Sequence, residues 1–194
     1  MHQKLATTNL PTQFGVFKLS VFSNKPTNKE ILVMRKGNDI ENVLCRIHSS
    51  CITGETFGSL RCDCGEQLNE SLKLINLHGG ILIYLFQEGR GIGLVNKIKA
   101  YFLQENGHDT ISANQELGFP NDLREYSSVK EILGHFNIRS IQLITNNPDK
   151  LSQIKSLGIG VKKTINLPVS KSKYNSKYLQ TKIKNLYHSI TFKT

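Results

Sequence analysis

The sequence ILIYLFQEGRGIGLVNKIKAYFLQE occupies residues 81–105 and decides the fold class. Residues 81–86 are a continuous apolar run, which is typical of a strand that is buried on both faces of a sheet. Residues 87–93 are rich in glycine, and residues 94–105 then have the pattern of a helix that ends before Asn106 and Gly107. A buried strand, a short loop and a helix in this order indicate an α/β fold.

The same arrangement returns further along the chain. Residues 141–144 are a second short apolar run, and a helix is predicted to follow it. Asn147 is a suitable N-cap for that helix, Pro148 suits its first position, and Gly158 is a natural end. The sequence thus predicts a second junction between a buried strand and a helix.

Between and before these two units the elements are shorter. Ser128 and Glu131 have the spacing of a capping box in front of an apolar helix face. Upstream, the pattern predicts strands at residues 17–21, 31–34 and 43–48 and a helix at residues 67–77. The prediction for the whole chain is an α/β fold, with a mixed sheet, flanking helices and an antiparallel N-terminal strand region.

Composition and charge are those of a globular protein with one unusual segment. The chain has 194 residues, of which 38% are hydrophobic, and residues 1–194 are predicted to form a single domain. The formal net charge of +10 is concentrated from about residue 150 onward, where the sequence has ten lysines and no arginine, aspartate or glutamate. Such a lysine-rich C-terminal segment binds a nucleic acid or a polyphosphate, or is simply a solvated surface.

Two kinds of partner are not expected. No apolar run approaches the roughly eighteen residues that a membrane span needs, and residues 1–13 lack the apolar region of a signal peptide. The lysine-rich segment contains isolated tyrosines but no aromatic RNA-binding motif. We therefore expect a cytoplasmic protein that binds neither a membrane nor a nucleic acid.

The four cysteines lie within twenty residues of one another, which favours a metal site over disulfides. Cys51, Cys62 and Cys64 surround one glycine-containing loop, and zinc is the usual metal for such thiolates. Spacing alone leaves open a structural site with four ligands and a catalytic site with three ligands and water. Cys45 or His48 could supply a fourth ligand, although the alternation around Cys45 favours a buried free thiol.

Each of the two strand-to-helix junctions carries groups that bind anions. The first has three alternating glycines and Arg90 in front of a helix, and the second has Thr145, two asparagines and Lys150. Either loop alone is more typical of ordinary turn and cap chemistry. Because ligands gather at the carboxyl ends of strands, the two together predict one anion site.

Several motifs resemble those of the GTP cyclohydrolase II family. The zinc motif of that family resembles RIHSSCITGETFGSLRCDCGEQ at residues 46–67, and its second motif resembles QEGRGIGLVNK at residues 87–97. Tyr101, residues 122–124 and TNNPDK at residues 145–150 follow in order, with a weaker match at residues 178–182. The resemblance runs from about residue 10 to residue 189.

The resemblance implies a reaction and its catalytic groups. The family opens the imidazole ring of GTP at C8 and releases formate and pyrophosphate, which is the first step of riboflavin synthesis. Zinc held by Cys51, Cys62 and Cys64 would carry the attacking water, and magnesium would accompany the triphosphate. By the same resemblance Tyr101 would position the base or the water, and Asp122 would accept a proton. Family accounts make Arg124 a nucleophile, whereas its permanent protonation suits a charge clamp better.

The resemblance also implies the substrate contacts and the assembly. The residues that would bind GTP are Arg46, Ile47, His48, Ser49, Ser50, Gln67, Glu88, Gly89, Arg90, Thr110, Thr145 and Lys150. The members of the family are homodimers, so a homodimer is expected here.

One departure from the family pattern keeps two alternatives open. The family usually has a glutamate before the first zinc cysteine, where this chain has Ser50. A catalytically impaired paralogue that binds GTP without opening it is therefore one alternative. A zinc-stabilised nucleic-acid-binding module, suggested by the lysine-rich segment, is the other, but it leaves Tyr101, Asp122 and Arg124 unexplained.

Overall fold

A mixed sheet runs through the protein. Within residues 2–24 and 29–193, which the computed structural model describes apart from the side chains of Asn24 and Thr110, the sheet has seven strands. They are β1 (His2–Thr12), β2 (Gly15–Asn24), β3 (Lys29–Lys36), β4 (Val43–Ser49), β5 (Gly80–Leu85), β6 (Ser140–Ile144) and β7 (Gly160–Ile165). Their order in the sheet is β1-β2-β3-β5-β4-β6-β7. The pairs along β1-β2-β3-β5 are antiparallel, and β5, β4, β6 and β7 are parallel.

The helices in the described part of the chain connect and cover these strands. They are α1 (Ile52–Glu55), α2 (Cys64–His78), α3 (Gly93–Glu105), α4 (Thr110–Glu116), α5 (Ser127–His135), α6 (Pro148–Ser156) and α7 (Ser176–Leu186). A single 3₁₀ turn, Glu88–Gly91, lies between β5 and α3. None of the described helices combines the length and the apolar character needed to cross a membrane.

Both faces of the sheet are buried at its central strands. One face packs against Val129, Ile132 and Leu133 of α5 and Ile154 of α6. The other face packs against the apolar side of α2, which includes Ile75. Because both faces are covered there, β5 is apolar and almost entirely buried, as the run at residues 81–86 predicted, although Phe86 lies after the strand and is exposed.

The fold class predicted from the sequence is confirmed, and most predicted elements are present with slightly longer bounds. The helix predicted at residues 67–77 begins earlier, at Cys64, so a cysteine of the metal motif is its first residue. Asn147 is the N-cap of α6, where its side-chain oxygen accepts from Asp149 N at 2.9 Å, and Pro148 is the first helical residue.

One detail of the sequence prediction is wrong. No side chain caps α5, which begins at Ser127 after Tyr126, so Ser128 lies inside the first turn instead of in a capping box. Tyr126 is buried, and its packing fixes the start of this helix. In β2, Phe17 is buried on one face and Phe22 on the other, because the sheet is covered on both sides.

Candidate active site

Successive side chains of β4 lie on opposite faces of the sheet. Val43, Cys45 and Ile47 belong to the core under α5 and α6. The intervening Arg46 and His48 therefore point to the opposite face, because successive side chains of a strand alternate. Burial raises the pKa of the Cys45 thiol to about 12, as expected for the predicted free thiol.

Arg46 and His48 are buried and connected to the elements around them. Arg46 donates from Nη1 to the carbonyl of Ile144 at 3.2 Å and from Nη2 to Gln67 Oε1 at 2.6 Å. His48 Nε2 lies 2.9 Å from Glu55 Oε1, and the Tyr84 hydroxyl donates to Glu55 Oε2 at 2.6 Å. Burial lowers the pKa of His48 to about 4. At neutral pH the contact between His48 and Glu55 is thus a hydrogen bond to a neutral ring.

Three cysteines meet directly after β4, in the segment 51–64 that we call the metal loop. The sulfur atoms of Cys51, Cys62 and Cys64 all lie within 4.8 Å of one another. Hydrogen bonds among these sulfurs lower the pKa of Cys51 and raise those of Cys62 and Cys64. Three sulfur donors could hold a metal ion, and this donor set is compatible with zinc. Within the described chain, neither Cys45 nor His48 belongs to the group.

Lys97 joins the metal loop to the loop after β5. From α3, its Nζ donates to Cys51 Sγ at 3.1 Å, to Thr53 Oγ1 at 2.8 Å and to Glu88 Oε1 at 2.7 Å. Burial lowers the pKa of Lys97, but the hydrogen bonds to Glu88 and Cys51 outweigh it and raise this pKa above its ordinary value. A cation is therefore held directly against one of the three thiols.

The loop after β5 is strained. Gly89 and Arg90 both have left-handed backbone angles, with φ near 61° and 60°. Gly91 has φ +93°, and a Cβ atom there would come within 2.9 Å of Leu123 Cβ. The Arg90 carbonyl accepts from Leu123 N at 2.9 Å. This close approach fixes the loop against the segment that carries Asp122 and Arg124.

Asp122 and Arg124 form an ion pair. Arg124 donates from Nε to Asp122 Oδ1 at 2.8 Å, and its Nη2 donates to Oδ2. Burial raises the pKa of Asp122, but the hydrogen bonds from Arg124 outweigh it and hold this pKa below its ordinary value. Tyr101 of α3 lines the same cavity, and burial raises the pKa of its hydroxyl, which stays protonated at neutral pH.

Lys150 is a buried lysine near the carboxyl end of β6. Its Nζ donates to the carbonyl of Ile47 at 2.8 Å. Burial and the neighbouring Arg46 lower the pKa of Lys150 well below its ordinary value. Thr145 precedes it and accepts from Asn147 N at 3.1 Å through its hydroxyl oxygen. Both predicted anion loops line the same cavity.

One cavity of about 690 Å³ is lined by most of the predicted site residues. The predicted residues that line it are Arg46, His48, Ser49, Ser50, Cys51, Cys62, Cys64, Gln67, Glu88, Gly89, Arg90, Tyr101, Asp122, Arg124, Thr145 and Lys150. Ile47 is not among the lining residues, because its side chain packs in the core, and its carbonyl accepts from Lys150 Nζ. Thr110 begins α4, and its side chain lies outside the described residues.

The cavity also has lining residues to which the sequence assigned no role. They are Lys97, Tyr178, Lys182 and His188, among others. Lys97 precedes Tyr101 by one helical turn, so the helix prediction already placed them on the same face. Tyr178 and Lys182 have the same spacing, but the lysine-rich composition around them gave no sign that one of these lysines is buried.

Comparison with known proteins gives consistent matches. A family model described as GTP cyclohydrolase II matches residues 3–166. The GTP cyclohydrolase-2 of Acinetobacter baylyi is 48% identical over 188 residues, which are 95% of this chain and 94% of that protein. The riboflavin biosynthesis protein RibBA of Staphylococcus saprophyticus is 48% identical over 187 residues, so this chain matches 47% of that longer protein. The GTP cyclohydrolase-2 of Acinetobacter baumannii strain SDF is 47% identical over 190 residues.

Proposed function

The chain belongs to the GTP cyclohydrolase II family, and on that premise we propose that it hydrolyses GTP. The reaction opens the imidazole ring at C8 and releases formate and pyrophosphate. The product is 2,5-diamino-6-(5-phosphoribosylamino)pyrimidin-4-one, and the reaction is the first step of riboflavin synthesis. The observation that carries the proposal is the meeting of three thiols and several buried cations in one cavity.

The buried cations suit a triphosphate. Arg46 bonds to His48, Gln67 and a carbonyl, and Lys150 bonds to a carbonyl. Among the described residues no carboxylate forms an ion pair with either of these two side chains. A buried charge without a partner is costly, and the lowered pKa of Lys150 reflects that cost, so an anionic ligand would stabilise the charged forms of both side chains. Magnesium then accompanies the phosphates that these cations bind.

The donor set fits a zinc ion. Cys51, Cys62 and Cys64 would hold it, and three protein ligands leave one position open. When bound, zinc lowers the pKa of a water molecule and polarises the group that this water attacks. Lys97 supports the same centre because it compensates the negative charge of the Cys51 thiolate.

The remaining catalytic roles fall to Tyr101, Asp122 and Arg124. The protonated Tyr101 hydroxyl is a hydrogen-bond donor for the base or the water. Asp122 accepts a proton, but its hydrogen bonds from Arg124 keep it a weak base in the free enzyme. Arg124 acts as a charge clamp on the phosphates instead of a nucleophile, because its guanidinium is protonated. When Arg124 turns to a phosphate, Asp122 loses its strongest partner and becomes more basic.

The proposal includes the remaining substrate contacts and the assembly. The side chains or backbone of His48, Ser49, Ser50, Gln67, Glu88, Gly89, Arg90, Thr110 and Thr145 complete the GTP site. The chain acts as one domain in a cytoplasmic homodimer. Support for the dimer comes from α3, where Leu94, Val95, Ile98 and Phe102 expose an apolar stripe.

A direct assay tests the proposed reaction. Purified protein with GTP, zinc and magnesium should release formate and form the pyrimidine product, and Cys64→Ala should abolish both together with the bound zinc. Cys45→Ala is the matched control, because this thiol lies in the core, and it should keep its zinc and activity. A wild type that holds zinc and binds GTP but releases no formate would contradict the proposal and favour the impaired paralogue.

A variant at Ser50 provides a second test of the proposed function. Ser50 lines the cavity, whereas Glu55, a candidate to replace the missing glutamate, is engaged by His48 and Tyr84. A carboxylate at position 50 would add a charged hydrogen bond worth about 1.5–3 kcal/mol. Ser50→Glu should therefore raise kcat/KM for GTP by roughly tenfold to a hundredfold. An unchanged kcat/KM would show that the position makes no contact in the transition state.

A further inference from the structure

Helix α7 lies outside residues 3–166, the part of the chain that the family model matches, and yet it lines the cavity. Leu179 and Lys182 are buried, while Lys177 and Lys184 on the same helix are exposed. The lysine-rich segment is therefore not uniformly solvated. One of its lysines turns toward the metal loop.

Lys182 forms a buried ion pair with Asp63. Its Nζ donates to Asp63 Oδ1 at 2.7 Å, and the two side chains are 9% and 0% exposed. Asp63 lies between Cys62 and Cys64 and precedes the first residue of α2. Its carboxylate therefore controls the direction of a peptide segment that carries two of the three candidate metal ligands.

A continuous set of hydrogen bonds extends from this pair to the substrate side of the cavity. The second carboxylate oxygen of Asp63 accepts from Gln67 Nε2 at 2.6 Å. Gln67 in turn accepts from Arg46 Nη2 at 2.6 Å through Oε1. Both oxygens of Asp63 are thus occupied, and Lys182 acts on the metal loop through Asp63.

The rest of the C-terminal segment binds the same end of α2. Ser170 donates from its backbone N at 2.9 Å and from its hydroxyl at 2.6 Å to Glu66. Lys193 lies 2.8 Å from the same carboxylate. The segment therefore contacts the first turn of α2 both before and after α7, and the ion pair with Asp63 is the buried contact among these.

We propose that Lys182 is a positioning residue that holds the metal loop through Asp63, so that the C-terminal helix is part of the active site. The inference rests on the proposed function for the identity of the metal and the reaction. A contact that orients a ligand segment from outside typically changes metal affinity or activity by about tenfold to a hundredfold when it is removed.

The test replaces each member of the pair and measures zinc as well as turnover. Lys182→Met keeps the length of the side chain and removes its charge, and Asp63→Asn keeps the shape of the carboxylate. Each should accelerate loss of zinc to a chromogenic chelator by roughly tenfold or more and lower kcat, with a change in KM for GTP of less than about threefold. The double variant should lose zinc no faster than the worse single variant, because the two act as one pair.

Lys184→Met is the matched control, because it removes one lysine from the exposed side of the same helix. It should leave zinc retention and kcat unchanged. Circular dichroism and thermal unfolding establish that each variant is folded. If Lys182→Met does not fold, Asp63→Asn carries the test, since it removes the charge of the carboxylate and keeps the size of the side chain.

Two results would overturn the positioning role. Zinc retention and kcat at the wild-type level in Lys182→Met or Asp63→Asn would remove it entirely. A raised KM with unchanged zinc retention and kcat would make Lys182 a substrate contact instead. Zinc loss is measured without GTP, so a wild type that releases no formate would overturn the proposed function while the zinc comparison still decides the role of Lys182.

Discussion

At the scale of single residues, the contact between Lys97 and Cys51 places a positive charge against the candidate metal site. A zinc ion with three thiolates would have a net charge of −1, and the ammonium group of Lys97, 3.1 Å from Cys51 Sγ, offsets part of that charge while it also pairs with Glu88. In the metal-free protein the same contact favours the thiolate, the form that binds metal. By keeping the Cys51 thiol deprotonated, Lys97 therefore raises the affinity of the three cysteines for zinc.

We expect Lys97→Met to raise the pKa of Cys51 in the metal-free protein and to weaken zinc binding at pH 7. A hydrogen bond to a charged group contributes about 1.5–3 kcal/mol, so the loss in affinity should be roughly tenfold to a hundredfold. The rate of thiol alkylation as a function of pH and a competition titration with a chelator measure the two effects. Lys99→Met, an exposed lysine on the same helix, should change neither.

Tyr101 and Asp122 are expected to act in chemistry more than in binding. Tyr101→Phe removes a protonated hydroxyl from the cavity, and Asp122→Asn removes the proposed proton acceptor. General acid–base groups typically contribute about a hundredfold to ten-thousandfold to the rate. Steady-state kinetics should therefore show a large fall in kcat with a modest change in KM. A large rise in KM at unchanged kcat would mean that both residues bind the substrate and the transition state equally and do not act in the chemical step.

At the scale of elements, the metal loop is shaped by a glycine. A Cβ atom on Gly54 of α1 would lie 2.9 Å from Cys62 Sγ and 3.3 Å from Cys51 Sγ. The short helix α1 therefore packs its backbone directly against the sulfur atoms. Only a residue without a side chain allows this approach.

We expect Gly54→Ala to displace the sulfurs and to reduce the zinc content of the purified protein well below one ion per chain. Metal analysis after dialysis measures the effect. Gly58→Ala is a useful comparison, because nothing lies within 4 Å of a Cβ atom there, although its φ of +63° adds backbone strain. Equal zinc contents for Gly54→Ala and the wild type would contradict the close packing.

The elements that could be predicted from sequence are those that have a recognisable run of apolar residues or a recognisable helix start. The apolar runs of β5 and β6 and the Asn-Pro start of α6 are of this kind. Strand β7 was missed, because it lies at the edge of the sheet, is largely exposed and contains two lysines. Helix α7 was missed for a related reason, since its lysines conceal a narrow apolar face.

At the scale of the whole molecule, the distribution of lysines explains where sequence reasoning stopped. The count of ten lysines after residue 149 was available from composition. Only the three-dimensional structure separates Lys150 and Lys182, which are buried at the cavity, from exposed lysines such as Lys184. Motifs predicted the cysteine group and the anion loops, because the residues of each lie close together in the sequence. The contact from Lys182 to Asp63 spans 119 positions and left no such local sign.

Buried histidine makes the stability of the fold depend on pH. The pKa of His48 is about 4 in the folded protein and about 6.5 in an unfolded chain. The unfolded state therefore binds more protons between these values, and stability falls as the pH drops from about 6.5 to 4. The contribution of His48 to this loss is about 3 kcal/mol.

Urea unfolding at several pH values should show this slope in the wild type and a smaller slope in His48→Gln. Because acid would release zinc from both proteins alike, the difference between their slopes isolates the histidine. His188, which has a pKa lowered by burial to about 3, should account for part of the remaining slope. Identical slopes for the two proteins would mean that His48 is not held neutral by the fold.

The position of β4 between β5 and β6 has a consequence for the order of folding. Cys45 pairs with Ile81, whereas Val43 of the same strand pairs with the much more distant Ile141. Closing the shorter connection costs about 1 kcal/mol less chain entropy, so we expect β4, α2 and β5 to assemble first. The three thiols lie inside this early unit. Zinc present during refolding should therefore stabilise the intermediate and speed the recovery of native structure, whereas zinc added afterwards should have no effect on that rate.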